Sequence, residues 1–341
     1  MDLSTRYLGL NLKHPVIASS SPLSETLEGI KLLEDSGASA IVMFSLFEEQ
    51  IRRENEAYDT LLDSGSDSFA ESLNYFPSID RAPKGPDQYL NLVRKAVEAT
   101  DIPIIGSLNG ITNEGWIDYA KQIQDAGARA LELNVFFIPT DIDMTPGEVE
   151  QRYFDILKAV KGSVSIPVAI KLSPFFSSIG NMAKRLSEAG ADGLVLFNRF
   201  YQPDIDLDRL QVDSRASLST PEEIRLPLLW IAVLYGRIEA SLAASRGVHS
   251  SDEIVKYLLA GADVVTVASA LMKHGPQYLH GGYCLHRPHI PAHLQFRLPG
   301  KILPRCRRRN HRCTLWQSLR SPLPGRSTSG QWQLGSNRPQ F

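Results

Sequence analysis

The sequence predicts a protein of the α/β class whose fold is a closed TIM (β/α)8 barrel, and three observations support this prediction. Four segments share one pattern, in which an amphipathic stretch ends at Gly-Ala and an apolar run follows, with glycines at Gly37, Gly127, Gly190 and Gly261. Four further apolar runs lie between these segments, so eight strands are predicted. The runs do not alternate between apolar and polar residues, which is typical of parallel strands buried on both faces. Eight strands separated by helices are the number that closes a parallel barrel.

Local signals define the elements in chain order. The predicted strands are residues 15–19, 41–44, 104–108, 130–134, 168–172, 193–198, 240–244 and 264–268. Four of the intervening helices end at the glycines of the repeat, because glycine adopts the left-handed conformation of a helix end at little cost. Two strands follow an Ile-Pro pair, at Pro103 and Pro167, and proline is tolerated at the first position of a strand. A doubly wound open sheet is the alternative architecture, but it does not require eight similar units.

The composition divides the chain into two parts. Over all 341 residues, 43% are apolar and 22% are charged, which describes a globular protein, and 24 Gly and 21 Pro are too few for a collagen-like one. Residues 281–341 nevertheless contain eleven Lys and Arg but no Asp or Glu, whereas the first 280 residues are acidic overall. We therefore predict a barrel domain over residues 1–280 and a basic tail over residues 281–341, which is disordered or translated from a shifted reading frame.

Two functional alternatives for the tail are not favoured. The arginine-rich residues 305–313 would suit a nucleic-acid-binding arm, but a disordered segment is the favoured interpretation. Metal binding by Cys284, Cys306, Cys313 and the nearby histidines is disfavoured because their spacing fits no usual zinc pattern. No metal site and no nucleic-acid partner are predicted.

The sequence gives no sign of membrane insertion or secretion. No apolar run approaches the roughly 18 residues of a membrane-spanning helix, and the first residues do not resemble a signal peptide. The first 280 residues contain no cysteine, so no disulfide framework is predicted there. A cytoplasmic protein is expected.

The candidate site residues stand at the predicted strand ends, because parallel barrels carry their chemistry at the carboxyl ends of the strands. Lys171 ends a buried apolar run and puts a cation into the barrel mouth, where it would pair with an anionic group or act as an amine nucleophile. Asn134 and Asn198 end the fourth and sixth strands, where an amide can donate to and accept from a polar ligand.

A phosphate site is predicted after the last two strands. Gly247 would permit close approach of the backbone, and residues 250–253 form a capping box whose helix N-terminus would face an anion. Arg246 would either pair with the phosphate or be solvated. An ordinary capped turn is the alternative interpretation of these residues.

In this order and spacing, residues 14–20, 131–134, 168–174 and 260–276 resemble the dihydroorotate dehydrogenase family of FMN-dependent barrels. The resemblance implies FMN at the barrel mouth and a dihydroorotate-like substrate bound by Asn134 and Asn198. Lys171 would stabilise negative charge on the reduced flavin. The other partners expected are an electron acceptor that the sequence does not identify and a second copy of the chain. The cofactor-binding residues implied are Ala18, Ser19, Ser45, Lys171, Ser245, Arg246, Gly247 and Ser269.

The sequence departs from this family on the substrate side. Phe137 stands where the family has a Cys or Ser base, Phe44 stands where it has a Lys, and residues 72–77 keep little of its second-loop turn. We therefore expect an oxidoreductase acting on CH–CH donors whose dihydroorotate activity is weak or altered. The alternatives are a flavin- or phosphate-binding barrel without turnover and a Schiff-base lyase that uses Lys171.

Overall fold

Parallel strands with flanking helices dominate the computed structural model, which describes residues 2–47, 86–109, 113–135, 138–198, 204–207, 210–213 and 218–281. The strands are β1 (Thr5–Tyr7), β2 (Leu10–Leu12), β3 (Val16–Ala18), β4 (Ile41–Val42), β5 (Leu46–Phe47), β6 (Ile104–Asn109), β7 (Ala130–Asn134), β8 (Val168–Leu172), β9 (Gly193–Leu196), β10 (Asp204–Asp206), β11 (Gln211–Asp213), β12 (Ser241–Ala244) and β13 (Val264–Val267). The described helices are α1 (Leu27–Asp35), α2 (Pro86–Ala99), α3 (Asn113–Asp125), α4 (Pro146–Lys161), α5 (Ile179–Glu188), α6 (Arg225–Leu234), α7 (Ser251–Ala260), α8 (Ser269–His274) and α9 (Tyr278–Gly281), with 3-10 turns at Pro22–Ser24 and Pro221–Ile224.

The eight strands β3, β4, β6, β7, β8, β9, β12 and β13 form a closed barrel. Each pairs in parallel with its neighbours, and β4 closes the ring by pairing with β3 at Ala18 and Ile41 and with β6 at Ile41 and Ile104. Because the first and last strands of an open sheet would each lack a neighbour, the alternative of a doubly wound sheet is wrong. The predicted TIM barrel is confirmed.

The repeated Gly-Ala segments connect each of four helices to the next strand. Their glycines have φ between +96° and +110°, the left-handed region that glycine adopts most easily. The residue two positions after each glycine then donates its backbone N–H to a carbonyl near the start of the preceding strand. These bonds run from Ser39 to Val16, Arg129 to Ile104, Asp192 to Val168, and Asp263 to Leu242, over 2.8 to 3.1 Å. The repeat therefore sets the register between neighbouring strands.

An antiparallel hairpin of β1 and β2, which the sequence patterns do not predict, fills the amino-terminal end of the barrel. Its side chains Tyr7, Leu8 and Leu12 are buried among inward-facing residues of the barrel, several of them alanines. Gly193 makes room for this hairpin, since a Cβ atom there would lie 2.6 Å from Leu8 Cδ2. The hairpin packs one end of the barrel with apolar groups, while the opposite end contains the cavity described below.

Two smaller elements border the carboxyl end of the barrel. The short strand β5 continues the line of β4 and pairs with the end of β6, with Leu46 opposite Leu108. The antiparallel pair β10 and β11 lies within the long connection after β9. Across the described residues, every helix falls short of the length and hydrophobicity that spanning a bilayer requires.

Candidate functional site

A cavity of about 600 Å3 opens at the carboxyl ends of the barrel strands, within the size range of small-molecule and cofactor sites. Most of the predicted site residues line it, and they come from strands far apart in the chain because the barrel brings all strand ends to one face. Ala18 is buried at the end of β3, directly before the lining residue Ser19. The predicted residues in the cavity wall are Ser19, Ser45, Asn134, Lys171, Asn198, Ser245, Arg246 and Ser269.

Three features named from the sequence fall outside the described residues: Phe137, the second-loop turn at residues 72–77, and the tail from residue 282. The predictions made for them stay predictions. The position of the usual family base is therefore known only from the sequence, whereas the other substituted position, Phe44, is described and lines the cavity.

Lys171 and Glu132 form a buried ion pair in the interior of the barrel. The Lys171 ammonium lies 3.1 Å from Glu132 Oε1, and the two residues are only 7% and 2% exposed. Lys171 is the second-last residue of β8, and Glu132 lies on the adjacent strand β7. Buried charges normally have a partner, because desolvation of an unpaired charge is costly. Lys171 was predicted from the sequence, whereas Glu132 was not, although a carboxylate inside an otherwise apolar strand is a signal for it.

Tyr7 of the amino-terminal hairpin lies within the electrostatic influence of this pair. Burial raises the pKa of the Tyr7 phenol well above its usual range, and the carboxylates of Glu132 and then Asp263 raise it further. The phenol is therefore neutral at physiological pH. Together with its apolar neighbours, it separates the ion pair from solvent at the amino-terminal end of the barrel.

The two predicted amides meet at the cavity. Asn198 donates a side-chain N–H to the side-chain oxygen of Asn134, and the Asn198 backbone N–H donates to the Leu172 carbonyl. Asn134 is directly opposite Lys171 in the register of β7 and β8. A hydrogen-bonded pair of amides thus adjoins the buried cation, which is the arrangement needed to orient a planar polar molecule beside a positive charge.

Hydroxyl groups line a second side of the cavity. Ser45 Oγ is 2.8 Å from Ser107 Oγ and 3.3 Å from Ser20 Oγ. Tyr89 donates its hydroxyl to the Ser107 carbonyl and accepts from the Ser107 N–H, both over 3.1 Å. Phe44 packs against the Tyr89 ring edge to face, with ring centroids 4.9 Å apart. This wall combines hydroxyls with an aromatic surface where the family resemblance would place a lysine.

The turn after β12 and the start of α8 form the region predicted to hold phosphate. Ser269 Oγ accepts from the N–H of Ser219 at 3.1 Å and from its hydroxyl at 2.9 Å, and the Gly247 N–H donates to Ser219 Oγ at 3.4 Å. Gly247 has φ +68°, and a Cβ atom there would lie 2.6 Å from the backbone nitrogen of Ile224. Only glycine therefore fits this position, and Ser219 is a third member of the cluster that the sequence analysis did not name.

Arg246 has a strained backbone and a side chain that is largely covered by protein. Its φ of +80° lies in the left-handed region, where an L-residue with a side chain is disfavoured. The guanidinium forms an ion pair with Glu223, and its side chain is only 10% exposed, so the solvated alternative is wrong. Tyr257 supports the turn by donating its hydroxyl to the Arg246 carbonyl at 2.9 Å. The charge of Arg246 is thus held in the cavity wall.

The capping box predicted at the start of α7 is confirmed. Ser250 caps the helix, and Glu253 accepts hydrogen bonds from the Ser250 N–H at 2.7 Å and from its hydroxyl at 2.8 Å. The side chains of Ser250 and Glu253 therefore accept hydrogen bonds from backbone N–H groups at the start of α7. The cavity wall beside α7 is formed instead by the preceding turn, through Ser245, Arg246 and Val248.

Thr266 carries a buried hydroxyl that finds no hydrogen-bond partner among the described residues. It lies on β13, is 2% exposed and contributes to the cavity wall. Buried polar groups almost always have a partner, so this hydroxyl is available for a hydrogen bond to a molecule in the cavity. Thr266 was not predicted from the sequence, because the valines around it indicate an ordinary buried strand.

Comparison with known proteins gives one consistent family. The sequence profile described as dihydroorotate dehydrogenase matches residues 2–281. The chain is 26% identical over 283 residues to the catalytic subunit of dihydroorotate dehydrogenase B (NAD(+)) of Methanocaldococcus jannaschii, covering 80% of this chain and 88% of that protein. It is 27% identical over 285 residues to a putative dihydroorotate dehydrogenase A (fumarate) of Aeropyrum pernix, covering 82% and 89%. It is 28% identical over 284 residues to the dihydroorotate dehydrogenase B (NAD(+)) catalytic subunit of Thermoplasma acidophilum, covering 80% and 89%. The chain therefore belongs to the dihydroorotate dehydrogenase family.

Proposed function

We propose that this chain is an FMN-dependent oxidoreductase that acts on a CH–CH bond of dihydroorotate or a close analogue. The observation that carries the proposal is the Lys171 cation beside the Asn134 and Asn198 amide pair, in one cavity at the carboxyl end of the barrel. A buried cation next to hydrogen-bonding amides suits a reaction in which negative charge develops on a planar ring. Family membership gives this chemistry its most direct precedent.

The residues present fit FMN. The cavity of about 600 Å3 is large enough for a cofactor, and the buried Thr266 hydroxyl could form a hydrogen bond with it. Arg246 lines the cavity with its guanidinium in an ion pair with Glu223, which a phosphate would share, and Gly247 permits the close packing of this turn on Ile224. When bound, FMN would supply the hydride acceptor that the side chains of this chain lack.

Each group of residues then has a distinct proposed role. Ser245, Arg246, Gly247 and Ser269 would bind the phosphate, and Ala18, Ser19 and Ser45 would contact the flavin ring. Lys171 offsets negative charge on the ring, and Asn134 and Asn198 orient the substrate by hydrogen bonds. The amino-terminal hairpin covers the Lys171–Glu132 ion pair at that end of the barrel and excludes water from it. The electrostatic interactions of the pair are therefore weakly screened.

The absence of the usual family base limits the proposed activity. Phe137 offers no group that takes a proton, and general base catalysis contributes roughly 10²- to 10⁴-fold to such reactions. We therefore propose slow oxidation of dihydroorotate, or faster oxidation of an analogue whose proton is more easily lost. The names of the relatives suggest two electron acceptors for testing, NAD+ and fumarate.

Two measurements test this function. Purified protein should be yellow, with a flavin absorbance band that persists through gel filtration, and a colourless protein that takes up no added FMN would exclude the proposal. Stopped-flow mixing of the FMN-loaded protein with dihydroorotate and with analogues should then bleach the flavin. Light scattering on the same preparation tests the expected second copy of the chain.

A barrel that binds flavin or phosphate without turnover is the second candidate, and Phe44 favours it. An aromatic side chain in the cavity wall replaces the family lysine, so the substrate side loses a cation. This candidate predicts bound FMN that no substrate reduces. The Schiff-base alternative requires an amine that is free to attack a carbonyl, whereas Glu132 holds the Lys171 Nζ in a buried ion pair. Borohydride trapping of an adduct on Lys171 with a carbonyl substrate would support the Schiff-base alternative.

A further inference from the structure

The buried carboxylate of Glu132 has no role in the function proposed above. It is 2% exposed and has Lys171 as an ion-pair partner at 3.1 Å. Replacing such a pair by apolar groups often leaves a protein equally stable or makes it more stable, so stability alone does not explain a buried ion pair. A carboxylate directly behind the only cation on β8 therefore requires a further explanation.

We propose that Glu132 acts through Lys171 and sets the strength of the positive charge that Lys171 presents to the flavin. This inference rests on the proposed function, because it assumes that FMN occupies the cavity. The pair as a whole is neutral, so the bound cofactor experiences a dipole with its positive end at the Lys171 ammonium rather than an isolated charge. Removal of the carboxylate would convert that dipole into a full positive charge.

The surroundings of the pair make the effect of each charge large. Tyr7 and the apolar residues of the hairpin cover the pair from the amino-terminal end, and neutral side chains surround it within the barrel. Among the groups of this interior layer, Ser107 is opposite Glu132 in the register of β6 and β7, and Asn134 is opposite Lys171. Charges in such a low-dielectric interior are weakly screened, so changes of one unit reach the cofactor.

The test is the midpoint potential of bound FMN in four proteins that retain different members of the pair. The wild type has both the ammonium and the carboxylate, Glu132→Gln lacks the carboxylate, Lys171→Met lacks the ammonium, and the double variant lacks both. A positive charge favours the reduced, more negative flavin and raises the potential. We expect Glu132→Gln above the wild type, Lys171→Met below it, and the double variant close to the wild type.

Each single substitution should change the ratio of the affinities for reduced and oxidised FMN at least tenfold. This change corresponds to about 30 mV in the midpoint potential of a two-electron couple. Asp192→Asn is the matched control, because it makes the same change in the Lys161–Asp192 ion pair at the other end of the barrel. Its potential should equal that of the wild type. FMN dissociation constants and thermal unfolding of all variants show that the compared proteins are folded and loaded.

A purely structural role for Glu132 would move both single variants in the same direction, and this result would overturn the proposal. An unchanged potential in FMN-loaded Glu132→Gln would overturn it as well. If Glu132→Gln fails to fold, the comparison of Lys171→Met with the double variant replaces it, since removal of the carboxylate must then raise the potential. A wild-type protein that binds no FMN would overturn the proposed function together with this inference, and its missing flavin absorbance identifies that case.

Discussion

Replacement of Gly247 by alanine should weaken both the fold and FMN binding, and the size of the effect follows from the geometry of the turn. Gly247 has φ +68°, and a left-handed conformation costs an alanine about 1–2 kcal/mol. Its new Cβ atom would also lie 2.6 Å from the backbone nitrogen of Ile224, which cannot move without displacing the 3-10 turn Pro221–Ile224. Overpacking of this kind adds about 1–3 kcal/mol, so a total loss of about 2–5 kcal/mol is expected.

The chain offers a matched control for this substitution. Gly236 has nearly the same φ, +67°, but a Cβ atom there would meet no heavy atom within 4 Å. Gly236→Ala should therefore lose only the conformational part, about 1–2 kcal/mol, and keep its FMN affinity. Urea unfolding measures the free energy of unfolding of both variants, and quenching of flavin fluorescence measures FMN binding. Equal losses of stability in the two variants, or unchanged FMN binding in Gly247→Ala, would refute the reasoning.

Three further predictions concern the barrel and its substrate side. Gly106→Ala should destabilise the protein by about 1–3 kcal/mol in thermal unfolding, because its Cβ would overlap the branched Ile123 side chain; a variant as stable as the wild type would contradict the packing. Burial raises the pKa of Asp263 from 3.8 to about 6, so the native state loses stability as the pH rises through this interval. Asp263→Asn keeps an acceptor for the Leu242 N–H and should be the more stable protein by about 1–3 kcal/mol at pH 7.5, with equal stabilities near pH 3; equal stabilities at both pH values would contradict the shift. Phe137→Cys should restore part of the dihydroorotate-dependent flavin reduction, and more when Phe44→Lys is added, with non-additive effects in single-turnover kinetics; unchanged rates in all variants with FMN bound would mean that the site is built for another molecule.

Much of the fold was predictable because its signals are local. Each left-handed glycine of the repeat ends a helix and precedes a buried strand, and both features depend on short stretches of sequence. The β1–β2 hairpin was not predictable in this way. Its strands have three residues each, too few for a periodicity, and its place in the barrel depends on small residues such as Ala130, Ala169 and Ala243 from distant strands.

The residues of the candidate site also fall into two groups, those that were predictable from the sequence and those that were not. Lys171, Asn134 and Asn198 were identifiable because a parallel barrel brings the carboxyl ends of its strands to one face. Glu132 and Thr266 were missed because only the register decides whether a residue inside a strand faces the barrel interior. The ion pair of Arg246 with Glu223 joins two separate loops, and no spacing in the sequence encodes that contact.

Titration of FMN and riboflavin into the purified apoprotein tests the central claim, that the cavity at the carboxyl end of the barrel is a flavin mononucleotide site. We predict saturable binding of one FMN per chain, with at least about tenfold weaker binding of riboflavin, which lacks the phosphate that the turn from Ser245 to Gly247, together with Ser269, would bind by charge-assisted hydrogen bonds. Equal affinity for the two flavins would contradict the assignment of the phosphate-binding residues. The absence of saturable binding by either flavin would contradict the claim itself.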